Sequence, residues 1–209
     1  MNAFGFEGIR QQFLKKGYTS GELYGTTWGS GSASTILDTD MKCEYVKQVR
    51  SLLLAVQKYT GAKVDVIGYS MGSPISRKAI LGGKCVETGE DLGKPLTDVV
   101  DTFVGVAGAN HGAALCFLQF GETCGKTIGL DCSSKFLADI NGQKRKYEGH
   151  FVYSISSPED DVVGYEACGT TASAIPNQDD GFKRSGNHDE VLQSTVQLQY
   201  SLIQNHKAA

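Results

Sequence analysis

The 209-residue sequence has no apolar run approaching the roughly 20 residues that span a bilayer, so no transmembrane helix is expected. Proline is scarce, with 4 residues against 26 glycines, and breaks between regular elements therefore fall to glycine turns. Neither charge sign dominates. The 20 Lys and Arg oppose 23 Asp and Glu, and a net charge of −3 lacks the basic footprint of a nucleic-acid binder or a polybasic membrane anchor. The opening Met1-Asn2-Ala3-Phe4-Gly5-Phe6-Glu7 has no basic stretch, apolar stretch or small-residue cleavage site, so it does not read as a secretory leader. No cysteine pair has the C-x-x-C spacing of a zinc ribbon or a thioredoxin-like centre. Internal repeats and low-complexity linkers are missing too. What is present is an ordinary globular composition, 40% hydrophobic and 21% charged, in a chain long enough to bury one core. A single domain over residues 1–209 is expected.

Six cysteines stand at positions 43, 85, 116, 124, 132 and 168. An even number fits three disulfides in an oxidising, extracellular compartment, whereas six buried thiols would fit a cytosolic protein. Sequence leaves the pairing open. The cysteines point outside the cell while the leaderless amino terminus does not.

Helical and extended patterns alternate along the chain. Phe6, Ile9 and Phe13 recur at helical spacing, with Gly17 as the stop. Residues 23–28, rich in Thr and aromatics, read as a short strand followed by a Gly/Ser turn at 29–32. Asp40 is placed to cap a long helix that carries Val46, Val49, Leu53 and Val56 on one face and stops at Gly61. Residues 64–67 read as a strand, 73–81 as a helix, 99–107 as a mostly apolar and therefore central strand, and 150–155 as another strand. A last helix follows His188 with Val191, Thr195, Leu198 and Leu202 inward. Strand and helix alternating at this pace predict an α/β architecture with a parallel sheet.

The chemistry begins at Gly68-Tyr69-Ser70-Met71-Gly72. The pattern G-x-S-x-G is weak alone in a chain this rich in glycine. Its context strengthens it, because a strand precedes and a helix follows, as a serine held on a sharp strand-to-helix turn requires. Glycines at 68 and 72 are expected where neighbouring backbones pass close by. A nucleophilic serine needs a base, and the base needs an orienting acid, in the order Ser, acid, His. Of four histidines, His188 sits on a loop just before the last helix and is the first choice as base. His111 precedes every candidate acid, His150 heads a strand, and His206 ends the terminal helix, where solvation is expected. Glu159, Asp160 and Asp161 follow the 150–155 strand; Asp160 is the first choice as acid, Asp161 the second and Glu159 the third. Asp179 and Asp180 are more distant alternatives.

Four segments together, Val64-Asp65-Val66-Ile67-Gly68-Tyr69-Ser70-Met71-Gly72, Gly108-Ala109-Asn110-His111-Gly112, Ser157-Pro158-Glu159-Asp160-Asp161-Val162-Val163-Gly164-Tyr165 and Asn187-His188-Asp189, resemble the class 2 lipase family. The resemblance runs from about residue 6 to the end. It implies a compact α/β-hydrolase, a mostly parallel sheet flanked by helices, and a secreted carboxylic-ester hydrolase. That enzyme would act as a monomer on lipid, triacylglycerol first, without metal or organic cofactor. In the family pattern the acid is an Asp followed by one residue and two aliphatic ones, which Asp160-Asp161-Val162-Val163 matches and which favours Asp160. Tyr69 stands where relatives often carry His. The family's oxyanion hole takes one backbone N–H from the residue after the nucleophile, here Met71, and another from a His-Gly loop between an early strand and the first helix. This sequence opens at or just before that helix, and His111-Gly112 follows the nucleophile strand and cannot serve instead. The expectation is a member truncated at its amino terminus, lacking the first strand and the oxyanion loop, with a non-catalytic lipase-like protein as the rival reading. The apolar residues 113–118 are expected either to line the acyl groove or to pack in the core.

Overall fold

The structure, a computed structural model, describes residues 3–29, 31, 38–118 and 121–208. Part of the Gly/Ser turn at 29–32 lies outside them. Helix α1 spans Glu7–Lys15 and α2 spans Cys43–Thr60. Strand β1, Val64–Tyr69, leads into α3, Gly72–Leu81. Strand β2 is Val100–Val106, α4 is Lys135–Asn141 and β3 is Phe151–Ser156. A two-stranded hairpin, β4 Glu166–Ala167 with β5 Thr170–Thr171, precedes β6 at Asp180–Lys183. Helices α5, His188–Ser194, and α6, Val196–Asn205, close the chain.

Strands β1, β2, β3 and β6 form one parallel sheet in that order. Every residue of β2 but Asp101 is buried, as the apolar run at 99–107 predicts for a strand covered on both faces. On one face Phe103, Val66 and Val152 meet Val46, Val49 and Leu53 of α2, Ile75 and Ala79 of α3, and Phe136 and Ile140 of α4. On the other, Val104, Val106 and Ile155 meet Ile9 and Phe13 of α1, Val191 of α5 and Leu202 of α6. Successive β2 residues therefore serve opposite layers, the period-2 consequence of a pleated strand. No helix among the described residues is long and apolar enough to cross a membrane.

Several local expectations are corrected. Residues 23–28 form no strand; they lie along α2, where Gln48 Nε2 bonds the Thr26 hydroxyl at 3.2 Å and Trp28 packs on Tyr45 with ring centroids 5.6 Å apart. The segment makes no ladder with the sheet β1-β2-β3-β6, and its contacts run to Gln48 and Tyr45 of α2 instead. Asp40 does not cap α2. The helix starts at Cys43, whose N–H is bonded at 2.8 Å by Glu87 Oε2, a carboxylate brought from 44 residues away. The terminal helix is two helices, broken at Thr195, where the Thr195 hydroxyl donates back to the Val191 carbonyl at 2.6 Å. Val191, Thr195, Leu198 and Leu202 are buried as the periodicity requires. His206 is not simply solvated: its ring stacks on Phe151 at 3.7 Å, and Nε2 lies 3.1 Å from Asp101 Oδ2.

All six cysteines are paired, Cys43–Cys85, Cys116–Cys124 and Cys132–Cys168. The first ties α2 to the loop after α3, and the third ties the 125–134 region to the β4–β5 turn. Closing loops of these lengths is worth about 2–4 kcal/mol each.

A fully buried ion pair sits behind α3. Arg77 Nε donates to Glu148 Oε1 at 2.8 Å, Nη1 to Asn141 Oδ1 at 2.9 Å, and Nη2 to the Ile140 carbonyl at 3.0 Å. Glu148→Ala would leave the guanidinium charged, buried and short of its partner. Stability is expected to fall by about 3–5 kcal/mol, read as an earlier urea midpoint, and Arg77→Met combined with Glu148→Leu should restore much of the loss. A double variant as unstable as Glu148→Ala would show that the charge pair itself is not the cause.

Candidate active site

Strand β1 ends at Tyr69, and the next residue, Ser70, has φ 54°, the left-handed region that a non-glycine residue enters only under constraint. The surroundings supply that constraint. Ser70 N–H donates to the Val106 carbonyl at 3.1 Å, and the Ser70 carbonyl accepts from Ser73 N–H at 3.0 Å and Ala109 N–H at 3.3 Å. Gly68 is required here: a Cβ on it would lie 2.8 Å from Ser73 Cα. Gly72 is not required in the same sense, because an added Cβ would meet only Trp28 Nε1 at an ordinary 3.5 Å. Close backbone approach is expected at both glycines, and only Gly68 shows it.

Ser70, Asp160 and His188 follow the carboxyl ends of β1, β3 and β6, which lie at one edge because the strands are parallel. Ser70 Oγ lies 2.9 Å from His188 Nε2, and His188 Nδ1 lies 2.9 Å from Asp160 Oδ2. Ser70, His188 and Asp160 are 4%, 3% and 8% exposed, so water competes little for these bonds. The second Asp160 oxygen accepts three backbone N–H groups, from Val162 at 3.0 Å, Val163 at 2.9 Å and Gly164 at 3.3 Å. Burial pushes the Asp160 carboxyl up, but the bonds from His188 and the backbone outweigh it and hold the group below the usual carboxylate range.

The neighbouring carboxylates all serve the histidine loop. Asp161 Oδ1 accepts the backbone N–H of His188 at 3.1 Å, and Glu159 Oε2 accepts the N–H of Gly186 at 2.7 Å. Asn187 caps α5 by accepting from Glu190 N–H at 3.0 Å, while Glu190 Oε2 accepts from Asn187 N–H at 2.9 Å. Asp179 and Asp180 lie elsewhere; Asp179 accepts from Val152 N–H at 2.8 Å and pairs with Lys146. His150 Nε2 lies 2.7 Å from Lys63 Nζ, ahead of β3 and at the far edge of the sheet.

Met71 immediately precedes α3, where the first backbone N–H groups have no intrahelical acceptor. His111 is half-buried in the loop after β2, its N–H bonded to the Ala172 carbonyl at 3.0 Å. Burial and the Arg77 charge push its pKa down. Of residues 113–118, Ala113 and Cys116 are buried in the core, whereas Phe117 and Leu118 are exposed. Among the described residues no three His, Cys, Asp or Glu side chains gather as a metal-binding group.

Two further side chains, Tyr69 and Asn110, support the site without being catalytic residues themselves. The Tyr69 hydroxyl lies 2.7 Å from Asp189 Oδ1 and 3.0 Å from the His188 carbonyl, and its ring is 4.9 Å from the imidazole. Burial and the Asp189 bond push its pKa up, so it remains a neutral donor. Asn110 Oδ1 accepts from the Ser73 hydroxyl at 2.9 Å, and its Nδ2 donates to the Ser173 carbonyl at 2.9 Å. Asn141 then bonds the Asn110 carbonyl and links this loop to Arg77. The only signals were the Tyr at a position of family variation and the Asn within Gly-Ala-Asn-His-Gly.

A parallel sheet flanked by helices, with a strained serine after one strand and its partners after two others, is the α/β-hydrolase fold. The chain belongs to the class 2 lipase family, whose model matches residues 1–201. Among solved structures, Aspergillus fumigatus lipase B is similar at TM-score 0.58 and 15% identity, over 84% of this chain and 44% of that one. Bacillus licheniformis lipase BlEst2 in its propeptide form is similar at TM-score 0.56 and 13% identity, over 82% and 42%. A lipase-esterase related protein from Clostridium acetobutylicum is similar at TM-score 0.50 and 14% identity, over 98% and 89%. The match thus spans less than half of the first two chains. Comparison with curated proteins finds no match.

Proposed function

We propose that the protein is a serine carboxylic-ester hydrolase acting on lipid, triacylglycerol first, through an acyl-enzyme. The observation that carries this reading is the buried chain Ser70–His188–Asp160, with both links at 2.9 Å. In the proposed mechanism His188 Nε2 takes the hydroxyl proton as Ser70 Oγ attacks the ester carbonyl. Asp160, kept ionised by its backbone N–H bonds, holds His188 with Nδ1 protonated and stabilises the imidazolium. The imidazolium then gives its proton to the departing alcohol. Water, deprotonated by the same histidine, releases the fatty acid and returns Ser70 to its hydroxyl form. Met71 N–H is the proposed oxyanion donor from this part of the fold, and loss of one such donor typically costs on the order of 100- to 1,000-fold in turnover. Three disulfides fit a secreted protein, and a monomeric single domain is the proposed form.

The test is covalent labelling with a fluorophosphonate, which reacts only with an activated serine. The adduct is expected on the tryptic peptide containing Ser70, and Asp160→Asn should slow its formation. Absence of labelling on folded protein would sink the assignment and favour a lipase-like binding protein without turnover.

A further inference from the structure

We propose that Tyr69 and Asp189 form a positioning couple, in which the tyrosine hydroxyl clamps the backbone of His188 and so holds its imidazole at Ser70. The proposal deepens the ester-hydrolase reading above and rests on it for its catalytic consequence. Both residues act through His188, and neither takes part in the proton transfers.

The first observation is where the holds on His188 come from. Asp160 meets its Nδ1, Asp161 its backbone N–H, and Glu159 the Gly186 N–H just before it. All three belong to the loop after β3. Tyr69 reaches the histidine from β1 instead. Its hydroxyl lies 3.0 Å from the His188 carbonyl and 2.7 Å from Oδ1 of Asp189, the next residue. The main chain of His188 is therefore held at its N–H from β3 and at its carbonyl from β1.

The second is the strand that supplies the clamp. Tyr69 is the last residue of β1 and precedes Ser70, whose Oγ lies 2.9 Å from His188 Nε2. Nucleophile and clamp are neighbours on one backbone, and Tyr69 is fixed in parallel register opposite Val106 of β2. A displacement of the β3 loop moves Asp160 but leaves this hold in place. That matters because misplacing a reacting group by about 1 Å can cost on the order of 100-fold in rate.

The third is the hydroxyl itself. Tyr69 is buried, its ring edge-on to Phe6 with centroids 6.3 Å apart and 4.9 Å from the imidazole. A phenylalanine would make the same ring contacts, so packing does not call for the oxygen. Its one proton is shared between two acceptors, and the bond to the Asp189 carboxylate is the shorter. Burial, and then Asp189, keep the hydroxyl from ionising, so it remains a donor.

The test sets Tyr69→Phe against Tyr153→Phe, which removes a like bond, from the Tyr153 hydroxyl to the His206 carbonyl at 2.8 Å, away from the site. Tyr69→Phe is expected to lower kcat for p-nitrophenyl butyrate on the order of 10-fold with KM unchanged, and Tyr153→Phe to change neither. The proton NMR resonance of the His188 Nδ1–H bonded to Asp160 should broaden in Tyr69→Phe through faster exchange with water, and stay as in the parent in Tyr153→Phe. Asp189→Ala should add no further loss to Tyr69→Phe, since the two residues act as one unit. Parental turnover by Tyr69→Phe, an equal loss in Tyr153→Phe, an unchanged resonance, or a further loss in the double variant would each overturn the proposal. A parent that neither turns over ester nor takes the fluorophosphonate label would overturn the catalytic reading, and the resonance would still decide whether the clamp exists.

Discussion

Ser70→Ala is expected to reduce turnover of p-nitrophenyl butyrate by a factor on the order of 10⁶, the scale seen when the nucleophile of a serine triad is removed. The fold should survive. Alanine removes one oxygen whose described partner is His188 Nε2 at 2.9 Å, and it inherits the same left-handed backbone at φ 54° with little added strain. The three backbone bonds that hold the turn, to Val106, Ser73 and Ala109, involve no side-chain atom of residue 70. Urea unfolding should therefore overlay the parent closely while kcat disappears. Undiminished turnover by folded Ser70→Ala would place the nucleophile elsewhere.

Asp160→Asn is the second large effect, an expected fall in kcat on the order of 10⁴-fold. The reason lies in the two oxygens. One accepts three backbone N–H groups from residues 162–164 and must remain an acceptor, so the asparagine carbonyl takes that place. Its NH₂ then faces His188 Nδ1 at the present 2.9 Å contact. Two donors cannot meet there, so Nδ1 loses its hydrogen and Nε2 carries it instead, pointed at Ser70. A histidine in that tautomer cannot accept the serine proton. Asp161→Asn should cost far less, because its carbonyl can still accept the His188 backbone N–H. Equal losses for the two variants would refute this division of labour. The same bonds have a sign in pH. Asp160 is held below its ordinary value, so its contribution to stability is present above the unfolded pKa, about 3.9, and is lost as pH falls through the lower folded value. Asp160→Asn should remove that part of the acid-side loss of stability.

Much of this site was legible because its signals are local. A strand, Gly68 and Ser70 in G-x-S-x-G and a following helix lie within a short window, and the apolar face of α2 declares itself by spacing. The order of Ser70, Asp160 and His188 could also be read, since parallel strands bring successive loops to one edge. Other features were illegible. The family pattern favours Asp160, but nothing in the three adjacent carboxylates themselves says that Glu159 meets Gly186 N–H, Asp160 the imidazole and Asp161 His188 N–H. Tyr69 could not be recognised as a support for the histidine, because its partners lie 119 and 120 residues away. The weak strands β4, β5 and β6, of 2 to 4 residues, are too short for periodicity to show.

The length and six cysteines set one core and an oxidising compartment as expectations, and hydrophobic period and glycine placement determined the alternation of helix and strand. These are properties of neighbours in the chain. Only the tertiary structure decided that Cys43 meets Cys85, that Glu87 rather than Asp40 caps α2, that residues 23–28 lie on a helix instead of in the sheet, and that Phe117 and Leu118 face outward. Each depends on the distance between segments remote in sequence. That distance is set by how the helical layers pack on the two faces of β2, and no local pattern contains it.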